Sequence, residues 1–242
     1  MERVLVIIGG KRVGDQFHTI PFFESIKDKE VVWITGSYAK RASELIQSIY
    51  PNIVELKILD DGFPGDMNDC KRFVEKAYKE CQDMIEGGQF DFIYDDYTVS
   101  FDLSSLYWKL KDNYFPIKKT KGDYIVYHLD TVSDWKRHLE IRNIETPIKG
   151  YSLGTKNEFV LPGTIDFTNQ PLTEVVKLIA GAKAFVGIHS AIACLNLFLN
   201  KTPSILIHPM DGLLKFSDYR NGWIDLIKPT TQQVQEAIGE LI

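Results

Sequence analysis

Short apolar runs alternate along the first half of the chain with segments whose apolar residues recur every three or four positions. Continuous apolar runs predict strands that are covered on both faces, and the longer period predicts amphipathic helices. The β-α-β-α-β order indicates a parallel sheet with right-handed crossovers. The predicted strands are Val4–Ile8, Val31–Thr35, Ile53–Leu59 and Phe90–Tyr94, and the predicted helices carry Ala42, Leu45, Ile46 and Ile49, then Phe73, Ala77, Cys81 and Met84.

The same alternation restarts after a break at Asn113–Asp123, which contains a proline, a glycine and a run of lysines. We therefore predict an α/β protein with two Rossmann-like domains, residues 1–116 and 122–242. The second half has predicted strands at Tyr124–Leu129, Glu158–Leu161, Ala184–Ile188 and Ser204–His208, and predicted helices at Leu172–Ile179, at 191–200 and at Val234–Leu241.

Composition narrows the class of protein. The 242 residues are 44% hydrophobic and 25% charged, which is ordinary for a globular protein, and the net charge of -5 disfavours a general nucleic-acid binder. The three cysteines form no CxxC pair, which suggests reduced thiols in a cytoplasmic protein. We expect no signal peptide and no membrane span.

The loop after the first strand, Gly9–Pro21, is the first candidate for chemistry because ligands bind beyond the carboxyl ends of parallel strands. Glycines, Gly14 among them, allow the backbone to approach a ligand, and Asp15 and His18 bring a carboxylate and an imidazole. Asp15 is either a general base or the cap of the next helix. The loop has neither GxGxxG spacing nor a P-loop signature.

The segment "RVLVIIGGKRVGDQFHTIPFFESIK" resembles the amino terminus of the ADP-heptose:lipopolysaccharide heptosyltransferases, with its GD-x-x-x-T-x-P-type signature at Gly14 to Pro21. The resemblance implies that Asp15 is the catalytic base. "FDFIYDDYTVS" resembles a family strand that carries Asp95 at its carboxyl end. Leu172–Pro209 and Leu226–Ile238 resemble the donor-side core and the closing helix. The family fold is GT-B, in which two Rossmann-like domains with parallel sheets face each other across a cleft.

The resemblance also implies a donor site in the second half. "YHLDTVSDWKRH" resembles the segment that meets the donor pyrophosphate, although a polar surface loop is the equal alternative. In "IHSAIAC" the family serine is kept, whereas His189, Ala191 and Cys194 replace the family's usual residues. His189 either contacts a phosphate or sugar or is structural, and "HPMDG" either reaches a sugar or is a turn. The donor-site candidates are Thr131, Ser133, Lys136, His189, Ser190, His208 and Asp211.

These features predict a glycosyltransferase that moves a sugar from a nucleotide-diphospho-sugar to an acceptor hydroxyl, with inversion as the resemblance implies. We expect no cofactor and no metal site, because helix dipoles and basic side chains stabilise the leaving diphosphate in GT-B enzymes. The alternatives are a nucleotide-sugar epimerase or hydrolase and a non-catalytic nucleotide-sugar-binding protein. The acceptor is a carbohydrate or another hydroxyl compound, and a nucleic acid is the less favoured possibility.

Overall fold

The computed structural model describes residues 1–8, 16–60, 67–95, 114–117, 121–130, 141, 143–156, 158–199, 202–213 and 215–242. Its backbone contacts divide the chain into two compact units, unit 1 from Met1 to Tyr114 and unit 2 from Phe115 to Ile242.

Unit 1 is built on a four-stranded parallel sheet, sheet A, in the order β3-β2-β1-β4. The core packs β1 and β2 against the apolar face of the long helix that carries Phe73 and Ala77. The elements are β1 (Arg3–Ile7), α1 (Ile20–Ser25), β2 (Glu30–Gly36), a short 3-10 helix (Ser37–Ala39), α2 (Lys40–Ile49), β3 (Ile53–Leu59), α3 (Met67–Glu80), α4 (Gln82–Glu86) and β4 (Phe92–Asp95).

The amphipathic pattern of residues 73–84, predicted as one helix, belongs to two. The backbone N–H of Cys81 donates to the carbonyls of both Ala77 and Tyr78, at 3.1 and 3.2 Å, and α3 ends one residue earlier at Glu80. Such shared hydrogen bonds are common at helix ends. Helix α4 then continues to Glu86 and ends before Gly88, which takes a φ of 65° that favours glycine.

Unit 2 is built on a six-stranded parallel sheet, sheet B, in the order β10-β9-β8-β5-β6-β7. Among the helices in the described ranges, none has both the length and the apolar character that a membrane span requires. The elements of unit 2 are β5 (Ile125–His128), β6 (Gly150–Ser152), β7 (Ile165–Asp166), α5 (Leu172–Gly181), β8 (Ala184–Ile188), α6 (Ala191–Leu199), β9 (Ser204–His208), β10 (Trp223–Ile227) and α7 (Thr231–Leu241).

The strand order places a topological switch point in each sheet. Counted within its unit, sheet B runs third, second, first, fourth, fifth, sixth, which is the Rossmann order, and sheet A has the first four strands of the same order. In each unit the second and third strands lie on one side of the first strand, and the fourth strand lies on the other side. The crevice beyond the carboxyl ends lies between β1 and β4 in sheet A and between β5 and β8 in sheet B.

The predicted strand Glu158–Leu161 is wrong, because this stretch has no strand partner. Two of its backbone N–H groups donate to side chains instead. The N–H of Phe159 donates to the Asp130 carboxylate at 3.0 Å, and the N–H of Leu161 donates to Ser152 Oγ at 2.9 Å. Strands β6, β7 and β10, which the sequence analysis did not predict, complete the sheet.

Candidate functional site

The switch point of sheet B holds two buried polar side chains in contact. His128 ends β5 and lies beside Gly187 of β8 in the strand register, and Ser190 follows β8 by two residues. The Nδ1 atom of His128 lies 2.9 Å from Ser190 Oγ, and the two residues are 5% and 7% exposed. Since β5 and β8 are neighbours only because the chain crosses back, the fold and not sequence proximity makes this contact.

Ser190 is also the residue that precedes helix α6. Its Oγ accepts a hydrogen bond from the N–H of Ala193 at 3.4 Å, and its carbonyl accepts one from the N–H of Cys194 at 3.0 Å. The first turn of α6 is half-buried at Ala191 and Ile192, whereas the rest of the described helix is buried. The helix N-terminus, which carries partial positive charge, is therefore its accessible end.

Glu158 stands on the other side of His128. Its Oε2 lies 3.6 Å from His128 Nε2, a charge contact longer than a good hydrogen bond, and accepts the N–H of Thr155 at 2.9 Å. A Cβ on Gly154 would come within 2.5 Å of the same oxygen, so glycine leaves the space that this carboxylate fills. Burial acts to raise the pKa of Glu158, but the attraction of His128 and the hydrogen bonds from Thr155 hold it below its ordinary value.

A second buried pair lies further along the same edge. His208, the last residue of β9, contacts Asp225 of β10 through Nε2 at 2.5 Å, and the other Asp225 oxygen accepts the N–H of Ser217 at 2.7 Å. The two side chains are 1% and 3% exposed. Burial acts to raise the pKa of Asp225, yet the hydrogen bonds from His208 and Ser217 lower it overall.

The remaining two described donor candidates are in different surroundings. The ring of His189 packs at 5.4 Å from the ring of Phe216 and at 5.6 Å from that of His208, so it joins the buried pair. Asp211 lies outside it: its side chain is 78% exposed and faces Lys228 at 3.7 Å, beside Gly212 with a φ of 81°. Asp211 therefore lies in an exposed turn, which was one of the two interpretations of the HPMDG segment.

At the switch point of sheet A, Asp95 ends β4 opposite Ile7 of β1. The hydroxyl of Tyr78 on α3 donates to Asp95 Oδ2 at 3.2 Å. Burial and the nearby Asp95 charge raise the pKa of Tyr78, which keeps the phenol protonated as a donor. Ring contact between Phe22 of α1 and Tyr94, at 5.2 Å, places helix α1 beside this strand end.

The entrance to α1 adds a buried amide to this edge. Thr19, which precedes α1, donates its hydroxyl to the carbonyl of Gln16 at 2.6 Å, and the Gln16 side chain is fully buried. Both polar atoms of the Gln16 carboxamide lack a hydrogen-bond partner among the described residues. His18 lies half-buried in the same turn. Trp33 Nε1 fixes the end of β1 by donating to the Ile8 carbonyl at 3.0 Å.

Five of the predicted site residues lie outside the described ranges, and for them the roles stay predictions: Gly14, Asp15, Thr131, Ser133 and Lys136.

The sequence analysis did not predict four polar side chains that contact or adjoin the site residues. The signal available for Glu158 was its run of polar neighbours after Gly154, and the signal for Asp225 was a charged residue inside an apolar run. The four polar side chains that were not predicted are His128, Glu158, Asp225 and Gln16.

The two lowered carboxylate pKa values predict acid sensitivity. A carboxylate whose folded-state pKa is depressed contributes stability that is present above its unfolded value and is lost as pH falls through the folded value. We therefore expect the free energy of unfolding to decline as pH falls below the ordinary values of 4.5 for Glu158 and 3.8 for Asp225. Urea unfolding at a series of pH values between 6 and 3 measures this free energy. In the variant Glu158→Gln the decline with falling pH should be less steep. An equally steep decline in that variant would contradict the assignment.

Among the described residues, no three histidine, cysteine, aspartate or glutamate side chains come together as a metal ligand set.

The protein has the fold of solved heptosyltransferases. The structure of E. coli heptosyltransferase WaaC with ADP-2-deoxy-2-fluoro heptose matches with a TM-score of 0.62 over 99% of this chain and all of that chain, at 13% identity. The structure of E. coli ADP-heptose lps heptosyltransferase II matches with a TM-score of 0.63 over 100% and 98% of the two chains, at 11% identity.

The iron-containing dodecameric glycosyltransferase TibC from enterotoxigenic E. coli matches with a TM-score of 0.58 over 99% of this chain and 76% of that chain, at 14% identity. No protein-family model and no curated protein matches the sequence. These likenesses confirm the predicted fold class, which is the α/β, heptosyltransferase-like GT-B fold with a parallel sheet in each half.

Proposed function

We propose that this protein is a glycosyltransferase that moves a sugar from a nucleotide-diphospho-sugar to an acceptor hydroxyl. The observation that carries the proposal is the set of buried polar side chains at the switch point of sheet B, where His128 and Ser190 meet below the accessible N-terminus of α6. Rossmann-ordered sheets bind nucleotides at this crevice, and helix N-termini bind phosphates. A cytoplasmic location, which the sequence favours, is part of the proposal.

Unit 2 binds the donor in this proposal. Ser190 and the backbone N–H groups of the first turn of α6 bind the diphosphate. His189, whose ring lies 5.6 Å from that of the buried His208, is half-buried along the same edge and contacts the sugar or ribose. The segment after β5 supplies further hydroxyls and a cation to the phosphates through Thr131, Ser133 and Lys136. The positive end of the α6 dipole and Lys136 stabilise the departing diphosphate, so the proposed transfer proceeds without a metal ion.

Unit 1 binds the acceptor, and Asp15 is the general base. The carboxylate takes the proton of the acceptor hydroxyl as its oxygen attacks the anomeric carbon of the donor sugar. The bond from that carbon to the diphosphate breaks on the opposite side, and the electron pair leaves with the diphosphate, which gives inversion. Asp95, which ends β4 and accepts a hydrogen bond from the Tyr78 hydroxyl, orients the acceptor in this proposal.

A panel of nucleoside diphosphates tests the donor half of the proposal. ADP comes first, because WaaC was solved with ADP and with an ADP-heptose analogue, and UDP, GDP and CDP follow. We expect one of them to stabilise the wild type by about 2.7 kcal/mol at a concentration 100 times its Kd, measured by thermal unfolding. Ser190→Ala should reduce the effect. A panel in which no nucleoside diphosphate stabilises the wild type would overturn the proposal.

Incubation of the matching nucleotide sugar separates the three candidate activities. A transferase releases the nucleoside diphosphate only when a hydroxyl acceptor is present, whereas a hydrolase or epimerase consumes the donor alone. A non-catalytic binding protein consumes it under neither condition. The altered residues His189, Ala191 and Cys194 motivate this last control.

A further inference from the structure

Three buried polar side chains form a row across unit 2, namely Ser190, His128 and Glu158. Nδ1 of the central imidazole lies 2.9 Å from Ser190 Oγ, and its Nε2 lies 3.6 Å from Glu158 Oε2. The side chains of His128 and Glu158 are 7% and 9% exposed. The two partners face different nitrogens of the imidazole.

The protons of this row can be counted in two states. In the neutral imidazole one ring nitrogen carries a proton and the other accepts one. With the proton on Nε2, facing Glu158, Nδ1 accepts the hydroxyl proton of Ser190, which is then unavailable to a ligand. In the imidazolium, Nδ1–H donates to Ser190 Oγ instead, and the hydroxyl proton is released. The N–H of Ala193 uses an oxygen lone pair in both states.

The carboxylate of Glu158 favours the second state. It is buried against the imidazole, its pKa lies below the ordinary value, and the Thr155 N–H and the space at Gly154 hold it in place. The other titratable side chains described along this edge have different contacts: Asp130 accepts the N–H of Phe159, His189 packs on Phe216 and His208, and His208 contacts Asp225. Glu158 is the carboxylate whose Oε2 faces His128 Nε2, at 3.6 Å.

We propose that His128, held by Glu158, is a positioning residue for donor binding: it turns the Ser190 hydroxyl away from the protein and toward an anionic phosphate when it gains a proton. This rests on the proposed function, because it assumes a phosphate at the N-terminus of α6. Donor binding then takes up a proton at His128, so affinity falls as pH rises. The decline is at most about tenfold per pH unit for one linked proton.

Titration calorimetry with ADP, or with the nucleoside diphosphate that stabilises the wild type, tests this directly. Measured at one pH in two buffers of different ionisation enthalpy, the heats give the number of protons taken up on binding. We expect up to one proton for the wild type and a smaller number for Ser190→Ala and for His128→Ala. The titration of the ligand's own phosphate is common to all variants and cancels in the comparison.

Two further variants sharpen the result. His128→Asn places an amide near the Nδ1 position without a titrating ring, so it should bind ADP better than His128→Ala and lose the pH dependence. The double variant His128→Ala/Ser190→Ala should bind about as weakly as the weaker single variant, because both changes remove the same donated hydrogen bond. A merely structural role for His128 predicts additive losses and no change in proton uptake.

The outcomes separate the two proposals. If ADP and the other diphosphates fail to bind the wild type, the proposed function fails and this inference fails with it. If one binds, but Ser190→Ala takes up as many protons as the wild type, the proton coupling alone is overturned. Ser190→Ala removes a single oxygen atom, so it carries the test even if His128→Ala does not fold.

Discussion

Replacing Asp15 with asparagine is expected to lower turnover by about 10²- to 10⁴-fold, the usual contribution of a general base. The amide keeps the size of the side chain but cannot accept the proton of the acceptor hydroxyl. Binding of the nucleoside diphosphate should stay unchanged, because the donor is proposed to bind unit 2. The measurement is acceptor-dependent release of the diphosphate, with kcat and KM determined separately.

Asp28→Asn is the matched control for this variant. Asp28 is an exposed carboxylate of the same unit, located between α1 and β2 and therefore at the amino ends of the strands. We expect its turnover to equal that of the wild type. If Asp15→Asn keeps turnover within a few-fold of Asp28→Asn, Asp15 is not the base and the cap alternative is favoured.

Truncating Asp225 is expected to cost about 1–3 kcal/mol of stability, since removing a buried acceptor leaves its buried donors without a partner. In Asp225→Ala both the His208 Nε2 and the Ser217 N–H lose their acceptor inside the protein. Asp225→Asn should be intermediate, because its one carbonyl oxygen replaces two carboxylate oxygens. Urea unfolding measures the loss through the fluorescence of Trp223, whose ring lies 5.5 Å from that of Phe216.

Asp211→Ala provides the control in the same unit. Its carboxylate is 78% exposed and lies 3.7 Å from the 62% exposed Lys228, so the expected change is at most about 1 kcal/mol. Hydrogen exchange should show that the loss in Asp225→Ala is confined to unit 2. Equal stability of the two alanine variants would mean that the pair at His208 contributes nothing, and its role at the site would have to be reconsidered.

The sequence predicted the parts of the fold that have a strong local pattern. Strands β3, β8 and β9 have the bounds that their apolar runs indicate, and α2 follows the spacing of Ala42, Leu45 and Ile46. Strands β6 and β7, of three and two residues, are too short for any periodicity. They exist because the neighbouring strand supplies hydrogen bonds, which a local pattern does not encode.

The contacts of the site escaped prediction for the same reason. Glu158 reaches His128 across 30 positions because β6 pairs with β5 and the chain folds back after it. Asp225 reaches His208 because the β9–β10 register sets Ile227 beside that histidine, and Asp225 two residues earlier points to the same face of the sheet. Strand ends could be located from sequence, whereas the buried partners that orient their side chains depend on register.

The outer strands of the two sheets determine whether copies of this protein can associate by edge-to-edge strand pairing at high concentration. Unpaired strand edges invite intermolecular pairing, and short or charged edge strands discourage it. Strand β7 has two residues and β4 has four, whereas β3 carries Glu55 and Lys57, the latter 3.7 Å from Glu80. Strand β10 has five residues, and its one charged residue is Asp225, which is buried against His208. Pairing between copies is therefore disfavoured at β3, β4 and β7, and β10 is the outer strand through which concentrated copies would pair.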